Sequence, residues 1–177
     1  VEHVFSPRAS GVANLRAPEP ALLVANHSEG VLAALEPLVF AHAIREALGD
    51  DAAMPRVLAH EALFRTPVAD WLASVGAVRA SPENARALLA AGEQVLVYPG
   101  GDKEAFRPWS ERHRVTLGDR RGYARTAIEM GVPIVLVVSA GMHSGFMSLS
   151  DGRELAKKLP IARMLRVGVV PITLSFP

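Results

Sequence analysis

The chain contains no cysteine, which excludes disulfide bonds, thiolate catalysis and cysteine-ligated zinc. Aromatic residues are scarce at 6% of the sequence, and no apolar run approaches the roughly 18 residues that a membrane-spanning helix needs. The 19 basic and 18 acidic side chains nearly cancel, so bulk charge favours neither nucleic acid nor an acidic partner. Hydrophobic residues occupy half of the 177 positions. This content and this length are enough for one ordinary globular domain with a hydrophobic core.

Short apolar runs alternate with amphipathic segments along the whole chain. Residues 21–25, bounded upstream by prolines, predict a buried strand, and the β-branched run at 134–138 predicts a central strand. Further strands are expected at 56–59, 76–80, 94–98, 165–170 and 172–176, and helices at 31–48, 60–74, 81–91, 119–130 and 152–159, with breaks at Pro37 and Pro67. A long polar loop is expected over 102–117. The alternation predicts an α/β fold, a single domain with a mostly parallel, mixed sheet and helices on both faces.

The two ends of the sequence differ from the middle. Residues 1–20 lack periodicity and are expected to form a loose lead-in, whereas residues 20–177 are expected to form the functional domain. The chain starts at a valine and stops just after an apolar run, so we expect the domain to be trimmed at both ends.

Polar residues follow several predicted strands. Asn26 and His27 come directly after the first strand, and in open α/β sheets ligands bind at the carboxyl ends of strands. A histidine there is suited to general-base catalysis because its unperturbed pKa lies near neutrality. The plain alternative is a histidine that merely caps a strand end.

Two more strand ends carry distinctive residues. Arg79 follows Gly76, Ala77 and Val78, and a later strand ends in Pro99, Gly100 and Gly101, with Glu104 close behind. Glycines allow the backbone to approach a substrate closely, since they have no Cβ. Arginine can bind a phosphate with two parallel hydrogen bonds. A plain turn and a solvated surface arginine are the alternatives.

Taken in order, these blocks resemble the glycerolipid acyltransferase family, including the lysophosphatidate and glycerol-phosphate acyltransferases. Asn26-His27 is similar to the first family block, Gly76 to Arg79 to the second, and Tyr98-Pro99-Gly100-Gly101 with Glu104-Ala105-Phe106 to the third. Val132-Pro133-Ile134, preceded by Arg121-Gly122-Tyr123-Ala124, resembles the fourth. The third block resembles the branch that includes the diacylglycerol acyltransferases. The resemblance covers roughly residues 20–176.

The sequence departs from the family at the acidic partner of the histidine. The family pattern places an aspartate where this chain has Leu32, but Glu36-Pro37-Leu38 resembles the displaced Asp-Pro-Leu element. Four residues are about one helical turn, so Glu36 projects from roughly the same face. Glu29 is the rival because it is closer to His27 in sequence. Asp102 or Glu104 of the third block is a further alternative, and the last alternative is that the acid is absent.

The resemblance implies direct transfer of a fatty acyl group from acyl-CoA, or from an acyl carrier protein, to a hydroxyl of a glycerolipid or another lipid alcohol. His27 would be the general base, with Glu36 or Glu29 as its carboxylate partner and no acyl-enzyme. Substrate would be bound by other residues of these blocks, namely Asn26, Arg79, Pro99, Gly100, Gly101 and Glu104.

No cofactor beyond the co-substrate acyl-CoA is expected, and histidine spacing suggests no metal site. The expected partners are the acyl donor, a lipid acceptor and a membrane contacted peripherally from the cytoplasmic side, without nucleic acid. Two other functions remain open. One is an esterase or thioesterase that uses the same histidine, and the other is a catalytically impaired lipid-binding module.

Overall fold

The computed structural model describes residues 8–15, 19–28, 35–150, 152–160, 168–169 and 172–175. The chain forms two compact units, each assembled from three separate stretches of sequence. The first unit contains Val1–Val24, Pro37–Val97 and Gly122–Leu136, and the second contains Ala25–Glu36, Tyr98–Arg121 and Val137–Pro177.

A five-stranded sheet forms the centre of the first unit. Its strands are β1 (Leu22–Ala25), β2 (Arg56–Ala59), β3 (Ala77–Arg79), β4 (Val95–Val97) and β5 (Ile134–Val137), in the spatial order β3-β2-β4-β1-β5. β1 is parallel to β4 with Leu22 opposite Val95, and β2 is parallel to both β4 and β3. The predicted α/β fold with a largely parallel sheet is therefore confirmed.

Helices connect the strands of this sheet. They are α1 (Leu35–Leu48), α2 (Ala69–Ser74), α3 (Pro82–Ala90) and α5 (Gly122–Met130), and a 3-10 turn at Glu61–Arg65 precedes α2. Ser81 caps α3, since its side chain accepts a hydrogen bond from the N–H of Asn84 at 3.1 Å. Helices and strands share one apolar cluster of buried side chains, namely Leu22, Val24, Leu89, Val95 and Ala127. Each fully buried leucine or valine contributes about 1.5–3 kcal/mol.

Prolines act on two of these helices in different ways. The predicted break at Pro67 is confirmed, because the 3-10 turn and α2 are separate elements on its two sides. The predicted interruption at Pro37 is wrong, because α1 continues through this residue to Leu48. Pro37 lies in the first turn of the described helix, where a missing N–H costs nothing because that N–H has no partner within the helix.

The prediction that residues 134–138 form a central strand is wrong. Among the described strands, β5 is the last of the order and lies next to β1, and Leu136 is 74% exposed. The inner position between β2 and β1 belongs to β4, which has only three residues. A β-branched apolar run indicates a strand because such side chains fit a pleated surface, but it does not determine the place of that strand in the sheet.

The second unit contains short elements. They are α4 (Gly101–Ala105), 3-10 turns at Trp109–Glu111 and Met142–Gly145, the strands β6 (Phe146–Ser150) and β7 (Ile172–Ser175), and α6 (Arg153–Lys158). β6 and β7 pair as an antiparallel ribbon with an irregularity between Ser148 and Ser150. The loop predicted over 102–117 is wrong in its first part, because α4 occupies it. Most of the strand predicted over 165–170 lies outside the described residues.

Among the helices of the described ranges, none is both long enough and apolar enough to cross a bilayer.

Candidate active site

In the sequence, stretches of the second unit begin near the ends of β1, β4 and β5. Asn26 follows β1, and its side chain binds Ser139, which follows β5. Asn26 Oδ1 accepts the N–H of Ser139 at 2.8 Å, and Asn26 Nδ2 donates to the carbonyl of Ser139 at 2.9 Å. Asn26 is buried. This geometry gives Asn26 a role in joining two strand ends and favours that role over a substrate contact.

His27 and Glu36 form the central pair of the candidate site. His27 Nδ1 lies 2.7 Å from Glu36 Oε2, and the two side chains are 14% and 2% exposed. A carboxylate can only accept, so Nδ1 is the donor of this hydrogen bond, and in the neutral ring Nε2 is then the nitrogen with a free lone pair. Nε2 of His27 makes no hydrogen bond to any part of the chain that the structure describes. The pair is therefore arranged to take up a proton at Nε2.

The position of Glu36 in α1 explains how the carboxylate tolerates burial. Glu36 lies in the first turn of the helix, where the helix dipole stabilises negative charge. Its second oxygen, Oε1, is buried and has no hydrogen-bond partner in the described ranges.

The ring of Tyr98 covers one side of His27, with ring centroids 4.7 Å apart. The rival carboxylate, Glu29, lies outside the described residues.

Glu104 is fully buried on α4. Its Oε2 accepts the backbone N–H of His27 at 3.0 Å, and its Oε1 accepts the backbone N–H of Thr116 at 3.0 Å. Burial raises the pKa of Glu104, although these two N–H groups and the charge of Arg107 act in the opposite direction. Both oxygens have backbone partners, which favours a positioning role for Glu104 over the predicted contact with substrate.

The turn after β4 is formed by Pro99, Gly100 and Gly101. A Cβ on Gly100 would overlap the side chain of Glu104, and Gly101 has a φ of 52°, in the region that favours glycine. Arg120 Nη1 donates to the carbonyls of Pro99 and Gly100, both at 3.1 Å. These contacts explain both glycines by packing and backbone conformation. Their predicted role in substrate binding stays a prediction.

Arg79 lies at the end of β3, in the first unit, and is exposed. Its Nε lies 3.7 Å from Glu61 Oε2, and its guanidinium lies 5.5 Å from the centre of the Phe64 ring. An exposed ion pair of this length contributes little to stability. The predicted role of Arg79 in binding phosphate stays a prediction.

Three further residues belong to the candidate site, namely Ser28, Arg107 and His143. Arg107 donates to the carbonyl of His27 at 2.6 Å and to Ser28 Oγ at 2.9 Å. His143 Nδ1 lies 3.0 Å from the carbonyl of Ser28, so it is the donor. Burial, together with the nearby charge of Arg107, lowers the pKa of His143 and favours the neutral ring.

The sequence holds one weak signal for one of these three residues. Arg107 stands directly behind the third block, three positions after Glu104. His143 had no comparable signal, because it stands in a glycine-flanked segment without a matching motif.

A family model described as diacylglycerol acyltransferase matches residues 18–167. The chain belongs to the diacylglycerol acyltransferase family. The predicted resemblance to the branch that includes these enzymes is thus confirmed, whereas the link to the wider glycerolipid acyltransferase family stays a prediction. The matched range contains every site residue discussed above.

Individual relatives of this diacylglycerol acyltransferase family member are distant. An uncharacterized protein of Mycobacterium tuberculosis is 31% identical over 174 residues, which is 98% of this chain and 46% of that protein. The human DGAT1/2-independent enzyme synthesizing storage lipids is 32% identical over 99 residues, which is 55% of this chain and 30% of that protein. The chain therefore spans less than half the length of these relatives. No solved structure matches it at a significant level.

Proposed function

We propose that this chain carries the catalytic histidine of an O-acyltransferase, which moves a fatty acyl group from acyl-CoA or an acyl carrier protein to a hydroxyl of a lipid alcohol. The observation that carries the proposal is the 2.7 Å contact between His27 Nδ1 and Glu36 Oε2. Family membership supports acyl transfer in lipid synthesis. The name of the human relative supports a storage lipid as the product.

The proposed mechanism needs no protein nucleophile. His27 Nε2 removes the proton of the acceptor hydroxyl. At the same time, the oxygen of that hydroxyl attacks the thioester carbonyl and forms a tetrahedral intermediate. The carbon–sulfur bond then breaks, and the departing thiolate takes the proton back from the imidazolium. Glu36 holds the ring in the required tautomer and stabilises its positive charge during the reaction. The new ester and free coenzyme A leave, so atoms and charge balance.

The acceptor and the place of action belong to the proposal as well. We infer a glycerolipid acceptor, with the protein contacting the membrane peripherally from the cytoplasmic side, because both long-chain donor and acceptor partition into lipid. Arg79 would serve a phosphorylated acceptor. A neutral acceptor, such as a monoacylglycerol or diacylglycerol, agrees better with the family to which the chain belongs.

Release of free coenzyme A from a long-chain acyl-CoA tests this function directly. The assay compares no acceptor, lysophosphatidate, monoacylglycerol and diacylglycerol, for the wild type and for His27→Ala. We expect acceptor-dependent release that falls about 10²- to 10⁴-fold in His27→Ala. His113→Ala is the matched control, because His113 is exposed and in the same unit. Undiminished release by His27→Ala would refute the mechanism, and release without acceptor would indicate a thioesterase.

Replacement of Glu36 by glutamine tests the acidic partner separately. The amide keeps the shape of the side chain, but it cannot stabilise the imidazolium and it can donate to Nδ1, which selects the wrong tautomer. We expect kcat to fall about 100-fold or more. Glu46→Gln is the control, because Glu46 lies on the same helix and is exposed. Equal turnover of the two variants would remove Glu36 from the mechanism.

A further inference from the structure

The backbone of His27 is held on both sides by side chains from one short stretch of chain. Glu104 Oε2 accepts the N–H of His27 at 3.0 Å, and Arg107 Nη1 donates to the carbonyl of His27 at 2.6 Å. Glu104 lies on α4, and Arg107 follows the end of that helix by two residues. They are also joined to each other, since Arg107 Nη1 donates to the carbonyl of Glu104 at 2.9 Å.

Arg107 has no donor left for a ligand. Its side chain carries five N–H donors, and five acceptors lie within 3.1 Å of its nitrogens. Nε donates to the carbonyl of Glu111, Nη1 to the carbonyls of His27 and Glu104, and Nη2 to Ser28 Oγ and to the carbonyl of Arg112. With Arg107 only 4% exposed, a phosphate could bind it only by breaking these contacts.

Burying both charges is expensive, because each loses its hydration. The backbone groups that the two side chains satisfy offset part of this cost, and two of these groups belong to His27. A displacement of about 1 Å near a reacting group can cost 100-fold in rate. The two contacts fix the backbone of His27. A fixed backbone helps the ring to keep Nδ1 bonded to Glu36 and to direct Nε2 to substrate.

We propose that Glu104 and Arg107 are positioning residues that fix the backbone of His27, and that neither is a ligand for acyl donor or acceptor. This inference rests on the proposed role of His27 as the base. It predicts that substitution of either residue lowers kcat and leaves KM for the acyl-CoA almost unchanged. A substrate ligand would show the opposite pattern, with KM raised.

Glu104→Gln is the first test, because it keeps size and shape but leaves only one acceptor oxygen for two N–H groups. Its matched control is Asp102→Asn, the same chemical change on the same helix. Asp102 contacts the N–H of Gly168 at 2.8 Å and Arg120 at 3.0 Å, and no contact joins it to His27 in the described ranges. We expect kcat to fall about 10- to 100-fold in Glu104→Gln and to stay near wild type in Asp102→Asn.

Arg107→Lys is the second test. As the conservative variant, it helps to distinguish a loss of positioning from a loss of the folded structure. A lysine keeps the charge but has three donors for five acceptors, so it can retain the bond to His27 only in part. We expect a loss of kcat that is smaller than in Arg107→Met, with thermal unfolding measured alongside. Equal kcat in all three proteins, or a rise in KM alone, would overturn the positioning role.

A spectroscopic measurement separates this inference from the proposed function. The proton between His27 Nδ1 and Glu36 Oε2 should give a low-field nuclear magnetic resonance signal, assigned by its loss in Glu36→Gln. We expect Glu104→Gln to shift or broaden that signal and Asp102→Asn to preserve it. If the protein transfers no acyl group but shows this pattern, the function fails and the positioning stands. If it is active and the signal is unchanged in Glu104→Gln, the positioning fails.

Discussion

The two compact units differ in what they bury. In the first unit, the described interior is built from side chains such as Leu22, Leu89 and Val95, and the one buried polar residue in its described ranges is Thr126. The second unit buries seven polar or charged side chains in its described ranges, namely Asn26, Ser28, Glu36, Glu104, Arg107, His143 and Ser148. Its described buried apolar residues are Ala25, Ala105, Ala156 and Val169.

The difference follows from what each interior must do. Apolar contacts are non-directional, so the first unit gains stability from burying area and tolerates many packing solutions. Hydrogen bonds are directional and costly when unmade, so a polar interior is stable only if nearly every group finds its partner. The second unit meets this condition around Arg107, whose five donors are all used. Such an interior can hold His27 and Glu36 in a single arrangement.

The largest effect on stability should come from truncating the apolar interior. We expect Leu89→Ala to lower the free energy of unfolding by about 2–5 kcal/mol, through lost burial and the cavity left behind. Ile128→Ala is the control, because Ile128 is 81% exposed on α5 of the same unit. Denaturant unfolding measures both variants. Activity per folded molecule should stay near wild type in both variants. A loss of kcat in Leu89→Ala alone would contradict the view that the apolar interior of the first unit serves stability and not the arrangement of the site.

A smaller effect on stability is expected from Gly100→Ala in the polar interior. The added Cβ would overlap the buried side chain of Glu104, so overpacking should cost about 1–3 kcal/mol, and kcat should fall because Glu104 holds His27. Gly122→Ala is the control, because nothing lies near its Cβ position at the start of α5. Thermal unfolding and coenzyme A release are measured on both. If Gly100→Ala behaves like Gly122→Ala, the contact with Glu104 does not constrain the turn.

The smallest effect should be a pH dependence carried by His143. Burial lowers the pKa of His143 from its ordinary value of 6.5, so below that value the unfolded chain binds a proton that the folded protein resists. The contribution to stability is therefore present above pH 6.5 and is lost as the pH falls through the lowered pKa. His143→Asn keeps a donor for Ser28 but does not titrate. We expect its unfolding free energy to fall less than that of wild type between pH 7 and pH 5, and parallel curves would contradict this.

Sequence patterns predicted the elements of the first unit better than their arrangement. The apolar run before Asn26 became β1, and the cap at Ser81 with a proline behind it started α3, because these signals act within a few residues. The run at 134–138 became an edge strand, since composition does not decide which strands pair. In the second unit, the pattern pointed to His27 and to Glu36. It did not indicate the contacts that Arg107 makes with His27 and Ser28, about 80 positions away in sequence, or the contact between His143 and Ser28.

The sequence by itself determined that the chain is a cysteine-free α/β protein with Asn26 and His27 at the end of a buried strand and with the blocks of an acyltransferase family. Periodicity, turn residues and short motifs are local, so they can be read without the fold. Only the tertiary structure decided that Glu36 reaches His27, that Glu104 and Arg107 hold its backbone, and that β5 lies at the edge. The contacts around His27 join residues up to 80 positions apart, and such contacts depend on which strands become neighbours, which a local pattern does not encode.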